Sequence, residues 1–222
     1  MKKRIVLIGL IALLSSLLPL SAGVSKASVT GFYGLVKATG DPDSVSLEGE
    51  PPFTQTTHTI GIKVQGTSFF SPTSNFGLSY KTAVSKALQS SVETADGVSL
   101  DLDFDPADSP LVWEFGVGGA YQIPISLGLI FELGAGFDYL IQSANDSETL
   151  GSVTITVDMF SIDAYAEINV ALSPNFFLNA GFSIRYIFKS TLRTRIFGTD
   201  LSADLDRTAF ILAPYVGVAF SY

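Results

Sequence analysis

Carboxylates recur at alternate positions in Asp101-Leu102-Asp103-Phe104-Asp105-Pro106-Ala107-Asp108, and calcium is held by clusters of oxygen ligands of this kind. An EF-hand loop also needs glycine at its sixth position and glutamate at its twelfth. Counted from Asp101, this chain offers Pro106 and Val112. Asp101, Asp103 and Asp105 are thus an incomplete calcium site. A solvated loop, or a protruding hairpin with Val98, Leu100, Leu102 and Phe104 on one face, accounts better for the segment. The single histidine, His58, is followed by Thr59 and Ile60, so it lacks the serine two residues on that a His-x-Ser hydrolase uses. No glycine-rich phosphate loop and no Cys/His metal spacing occurs. These residues predict a non-enzyme without a cofactor. A third set carries both signs: Lys63, Lys81, Arg185 and Lys189 against Glu114, Glu132, Asp138, Asp163 and Glu167. What these nine do depends on whether the fold brings them together.

The elements that position them alternate. Phe76, Leu78, Tyr80, Thr82 and Val84 share one parity, with Gly77, Ser79, Lys81, Ala83 and Ser85 on the other. The same period of two runs through 111–122, 127–142, 176–189 and the C-terminal strand from about Arg207. It is weaker in 56–68 and least regular in 28–38. In 153–172 the apolar parity changes near Met159-Phe160, which suggests a β-bulge. All nine charged residues fall on the face opposite the bulky apolar one, whereas His58 lies with Ile60 and Ile62. The connectors alternate too. Short turns rich in Pro, Ser and Asn (71–75, 123–126, 173–175) separate longer polar stretches near 39–55, 88–109, 143–152 and 190–206.

Composition says which medium surrounds the strands. Charged residues make up 15% of the chain, against about 25% in soluble domains, and mean hydropathy is +0.39. Beyond the N-terminus no apolar run is long enough for a spanning helix. Apolar residues dealt to alternate positions fit a transmembrane β-barrel, the other structure that satisfies its backbone within lipid. The face opposite the apolar one is mostly Gly, Ala and Ser. It is too small and too sparsely charged for a solvated surface, but it suits a narrow eight-stranded interior.

The address is read at the N-terminus. Lys2, Lys3 and Arg4 precede an apolar run from Ile5 to Leu20 and then small residues, which is a secretory signal peptide. Ser25-Lys26-Ala27 is the favoured cleavage box and Leu20-Ser21-Ala22 the alternative. Residues 1–27 are therefore expected to leave, with the barrel on 28–222. Losing Lys2, Lys3, Arg4 and Lys26 takes the net charge from −8 to about −12, which gives nucleic acid no attraction. Without cysteine there is neither lipoprotein anchor nor disulfide.

The expected fold is all-β: an eight-stranded antiparallel up-and-down transmembrane β-barrel. On its signal peptide, alternating strands, short-turn/long-loop asymmetry and terminal Tyr222, the chain resembles the small eight-stranded bacterial outer-membrane proteins. That group includes the barrel of outer-membrane protein A, outer-membrane proteins X and W, and the opacity proteins. The resemblance implies the outer membrane as location and its lipid as surroundings. It also implies that Val216, Val218, Phe220 and Tyr222 form the C-terminal signal read by the barrel-assembly machinery. Pairing of the interior charges would fill the bore. The leading expectation is thus a filled scaffold presenting acidic extracellular loops to a surface ligand. The alternative is a narrow channel for small or hydrophobic solutes, resembling outer-membrane protein W, with the charges as a constriction.

Overall fold

The alternating segments all become strands in the computed structural model, which describes residues 25–40, 53–71, 73–94, 99–103, 109, 111–146, 153–196, 199–205 and 207–222. In chain order they are β1 (Ser25–Gly40), β2 (Phe53–Phe69), β3 (Phe76–Thr94), β4 (Ser99–Asp103), β5 (Leu111–Ser126), β6 (Leu129–Asp146), β7 (Val153–Ser173), β8 (Phe176–Ile196), β9 (Thr199–Leu205) and β10 (Arg207–Ser221). Eight of these close a ring in the order β1-β2-β3-β5-β6-β7-β8-β10, every pair antiparallel, with β10 returning to β1. No edge is left for lipid to face. The two remaining strands, β4 and β9, fold back on β3 and β8 and lengthen the wall at the end away from the termini. Much of the stretches expected as loops at 88–109 and 190–206 is therefore strand. Residues 1–24 of the expected leader, 41–52 and 147–152 of the expected loops, and Asp105 lie outside the described residues.

The seam between first and last strands runs from Lys26↔Ser221 to Gly40↔Arg207. Its ladder skips Tyr33 and Gly34, opposite Pro214 and Ala213, where proline has no N–H to give. At its lower end Ser25 and Tyr222 exchange both backbone hydrogen bonds at 2.9 Å. The turn between β5 and β6 falls at Leu127-Gly128, just past the Ile123–Ser126 stretch expected to make it. Gly128 takes a φ of 94° there, open to glycine without steric cost.

One bulge changes the reading of a charge. Between β7 and β8 the pairs Phe160↔Lys189 and Ser161↔Ile187 leave Phe188 as the extra residue. The bulge expected in β7 is thus carried by β8, while β7 keeps unbroken register with β6. Beyond Phe188 the parity of β8 flips. Arg185 and Ile187 are buried, but Lys189 is exposed and Ser190 takes the inward position. Lys189, expected inside the barrel, therefore stands outside it.

The exterior is an apolar belt. Val117, Phe137, Ile62, Phe182, Leu212 and Val216 are all about half exposed or more, which only lipid makes tolerable over so large an area. Aromatic pairs rim it at both ends. Phe70–Phe76 and Phe220–Tyr222 lie beside the short turns; Tyr33–His58, Tyr139–Phe160 and Tyr186–Phe210 lie toward the far end. The interior glycines make room for large side chains. A Cβ on Gly134 would sit 2.1 Å from Cε1 of Tyr165, so the small inward face exists to admit tyrosines and ion pairs.

Candidate functional site

The interior charges meet at two levels of the bore. At the upper level Lys81 on β3 contacts Glu114 on β5 at 3.2 Å, Asp138 on β6 at 3.0 Å and Asp163 on β7 at 2.5 Å. Arg185 on β8 joins them, with Nε donating to Asp138 at 2.8 Å and Nη2 to Glu114. Five neighbouring strands of the ring are thereby tied into one cluster. From the remaining wall, Lys63 on β2 places Nζ 3.6 Å from the ring centroid of Tyr215 on β10, a desolvated cation–π contact.

At the lower level the structure supplies a cation that sequence reasoning assigned to the leader. Lys26 on β1 reaches β6 and β7, placing Nζ 2.5 Å from Glu132 Oε2 and 2.8 Å from Glu167 Oε1. In the ring order β6 lies four strands from β1 in either direction, so this ion pair crosses the full bore. Glu132 and Glu167 face each other in register and are 0% and 1% exposed. Glu132 also accepts from Gln122, Thr67 and the Tyr165 hydroxyl, and Glu167 from Asn179. The signal for Lys26 was its parity with Ser28 and Thr30, hidden because Ser25-Lys26-Ala27 also reads as a cleavage box. With Lys26 in and Lys189 out, four cations face five carboxylates in the bore.

Buried ions are tolerable only in such mutual pairing, since an uncompensated one costs several kcal/mol. The same pairing draws side chains from opposite walls toward the axis. Above the upper cluster the bore opens into a cavity of about 370 Å³ lined by residues from every strand of the ring, with Glu114 and Arg185 at its base.

The other sequence-derived sites are placed as follows. Asp101 and Asp103 lie on β4, opposite Ser91 and Gln89 of β3. Among the described residues no group of three or more His, Asp or Glu is set to hold a metal ion. His58 is on the outer wall, where its Nδ1 meets the Tyr33 hydroxyl, away from every interior carboxylate. Val216, Val218, Phe220 and Tyr222 all face outward on the closing strand.

No protein-family model matches the chain. No curated protein sequence matches it. Among solved structures it is similar to the Neisserial surface protein A, at 14% identity and TM-score 0.50, over 88% of this chain and 97% of that one. A major outer membrane protein from Thermus thermophilus aligns over 88% and 99% at 13% identity and TM-score 0.48. Ail, the attachment invasion locus protein of Yersinia pestis, aligns over 88% and 99% at 12% identity and TM-score 0.41. At these identities the likeness is one of fold: the chain has the fold of the small outer-membrane β-barrels. A closed barrel wearing an apolar belt between aromatic rims is an outer-membrane protein.

Proposed function

We propose that this barrel is a sealed, non-enzymatic scaffold of the outer membrane whose lengthened far wall presents an acidic surface to the exterior. The observation that carries it is the double crossing of the bore, by Lys26 to Glu132 and Glu167 and by Lys81 and Arg185 to three further carboxylates. An ion or solute would have to break both clusters to pass. The carboxylates an enzyme would need are held by cations, and His58 faces outward.

The outward reach comes from the two added strands. Asp101 on β4 and Asp204 on β9 are exposed beyond the membrane band, on a rigid wall of the kind that supports binding loops. The partner this chemistry suits is cationic. Cleavage at the alternative site after Ala22 suits the lower ion cluster, because it keeps Lys26, the counter-ion of two buried carboxylates. The outward apolar residues of β10, ending at Tyr222, are what the assembly machinery would bind.

Liposome swelling tests the seal. Vesicles carrying the refolded barrel should swell in arabinose no faster than empty ones, while the triple variant Lys26→Ala, Lys81→Ala, Arg185→Ala, which removes both crossings, swells faster. Rapid swelling with the unaltered barrel would overturn the reading. Binding of cells to a polycationic probe, lost on deleting residues 96–108 without loss of the barrel, tests the acidic surface.

A further inference from the structure

The two faces of the barrel exchange chemistry at one level of the wall. Along β7 the odd-numbered residues face the bore throughout, because register with β6 never slips. Below Phe160 they are polar or tyrosine: Ser161, Asp163, Tyr165, Glu167 and Asn169, all buried. Above it they are Ile155, Val157 and Met159, and these line the upper cavity. The even-numbered outward residues do the opposite, from exposed Ile162 and Ile168 below to Thr156 and Asp158 above. Asp158 is held on the outer wall by Arg193 at 2.8 Å and by the Tyr139 hydroxyl. The exchange occurs at the Tyr139–Phe160 aromatic pair, where the lipid band ends. Above that line β7 has the pattern of a soluble barrel's strand, polar outside and apolar within.

A soluble barrel of this width normally fills its interior with side chains, and protein interiors hold few voids larger than a water molecule. This one keeps about 370 Å³ open. An apolar cavity of about 150 Å³ stays dry and takes up benzene, and ligand pockets begin at about 300 Å³. Leu140, Met159, Ile187 and Ile211 supply much of its apolar lining, and Ser85, Gln142 and Ser190 join Gln55, Thr57 and Thr59 in placing hydrogen-bonding groups around it. Those of β2 already bond Ser90 and the Gly34 carbonyl. At the base, Arg185 and Glu114 are already joined to each other, so no free charge awaits a charged head group.

We propose that this cup binds a small neutral molecule, mostly apolar, with one hydrogen-bonding group that meets the polar side chains of the lining. The cup is blind because the bore below it is sealed, but its occupancy is read separately from conductance.

Met159 reports on it directly, being the only methionine besides Met1. The probe is 1-octanol, added to the full barrel in lipid nanodiscs with 13C-labelled methionine methyls. The Met159 methyl resonance should shift saturably and show intermolecular NOEs to the octanol chain. Octanoate and octylammonium should bind at least about tenfold more weakly, because the cup offers no counter-ion. Ala209→Phe and, independently, Thr59→Phe fill the space from two different strands, β10 and β2, and should each abolish the response in a barrel that still shows heat-dependent gel migration. A shift that stays linear with octanol, that survives in both filled variants, or that octanoate reproduces at equal concentration would overturn the proposal.

Discussion

Replacing Lys26 by methionine isolates the lower ion cluster. The side chain keeps nearly the same length, but Glu132 and Glu167, directly opposite each other and 0% and 1% exposed, lose the cation at 2.5 and 2.8 Å. Removing one partner of a buried ion pair costs about 3–5 kcal/mol, most of it the burial of charge left uncompensated. The right measurement is reversible urea unfolding of the refolded barrel in lipid vesicles, followed by far-UV circular dichroism. With an m-value of about 2 kcal/mol/M, the midpoint should fall by about 1.5–2.5 M. The triple variant Lys26→Met, Glu132→Gln, Glu167→Gln removes the charges together, and the amide oxygen at position 132 can still accept from Thr67 and Tyr165. It should recover most of the loss, as buried ion sets replaced by neutral groups commonly do. A loss below about 1 kcal/mol for Lys26→Met, the range of an exposed pair, would refute the reasoning. So would a triple variant no more stable than the single one.

N-terminal sequencing of the protein extracted from membranes should begin at Gly23; a chain beginning at Ser28 would remove Lys26 and contradict the lower cluster. Lys189→Ala should change stability by no more than about 0.5 kcal/mol, since Lys189 stands outside the bore; a loss like that of Lys26→Met would put it back inside. Gly134→Val drives a side chain into the Tyr165 ring and should cost about 1–3 kcal/mol in the same unfolding assay. Adding Tyr165→Ala should relieve part of that cost, and strict additivity of the two would argue against the contact.

The ring was legible because lipid outside and a cramped bore inside enforce strict alternation, which runs such as 76–85 and 176–186 carry openly. What alternation reports is the medium each side chain meets, not which way the backbone turns. In β7 the apolar parity switches at Met159-Phe160, and a bulge or the edge of the lipid band would leave the same trace. The structure excludes a slip of β7 against β6, which leaves the edge of the lipid band as the cause. Conversely, the bulge at Phe188 was silent, since Phe188-Lys189 continues an apolar–polar alternation while the wall beneath it changes hands. The upper ion cluster was readable residue by residue, because Lys81, Glu114, Asp138, Asp163 and Arg185 each interrupt a small-residue face. Lys26 was not, because a basic residue between two small ones suits a leader's end and a strand's start alike. The cup left no motif at all: its walls come from every strand of the ring, and only the closed register assembles them.

The central claim is that paired charges close the bore, and planar-bilayer recording of the purified barrel tests it most directly. Closed crossings at Lys26 and at Lys81–Arg185 predict a flat current with no discrete steps in molar salt, and step-like openings only once Lys26, Lys81 and Arg185 are all replaced by alanine. Discrete, reproducible conductance from the unaltered protein would contradict the account.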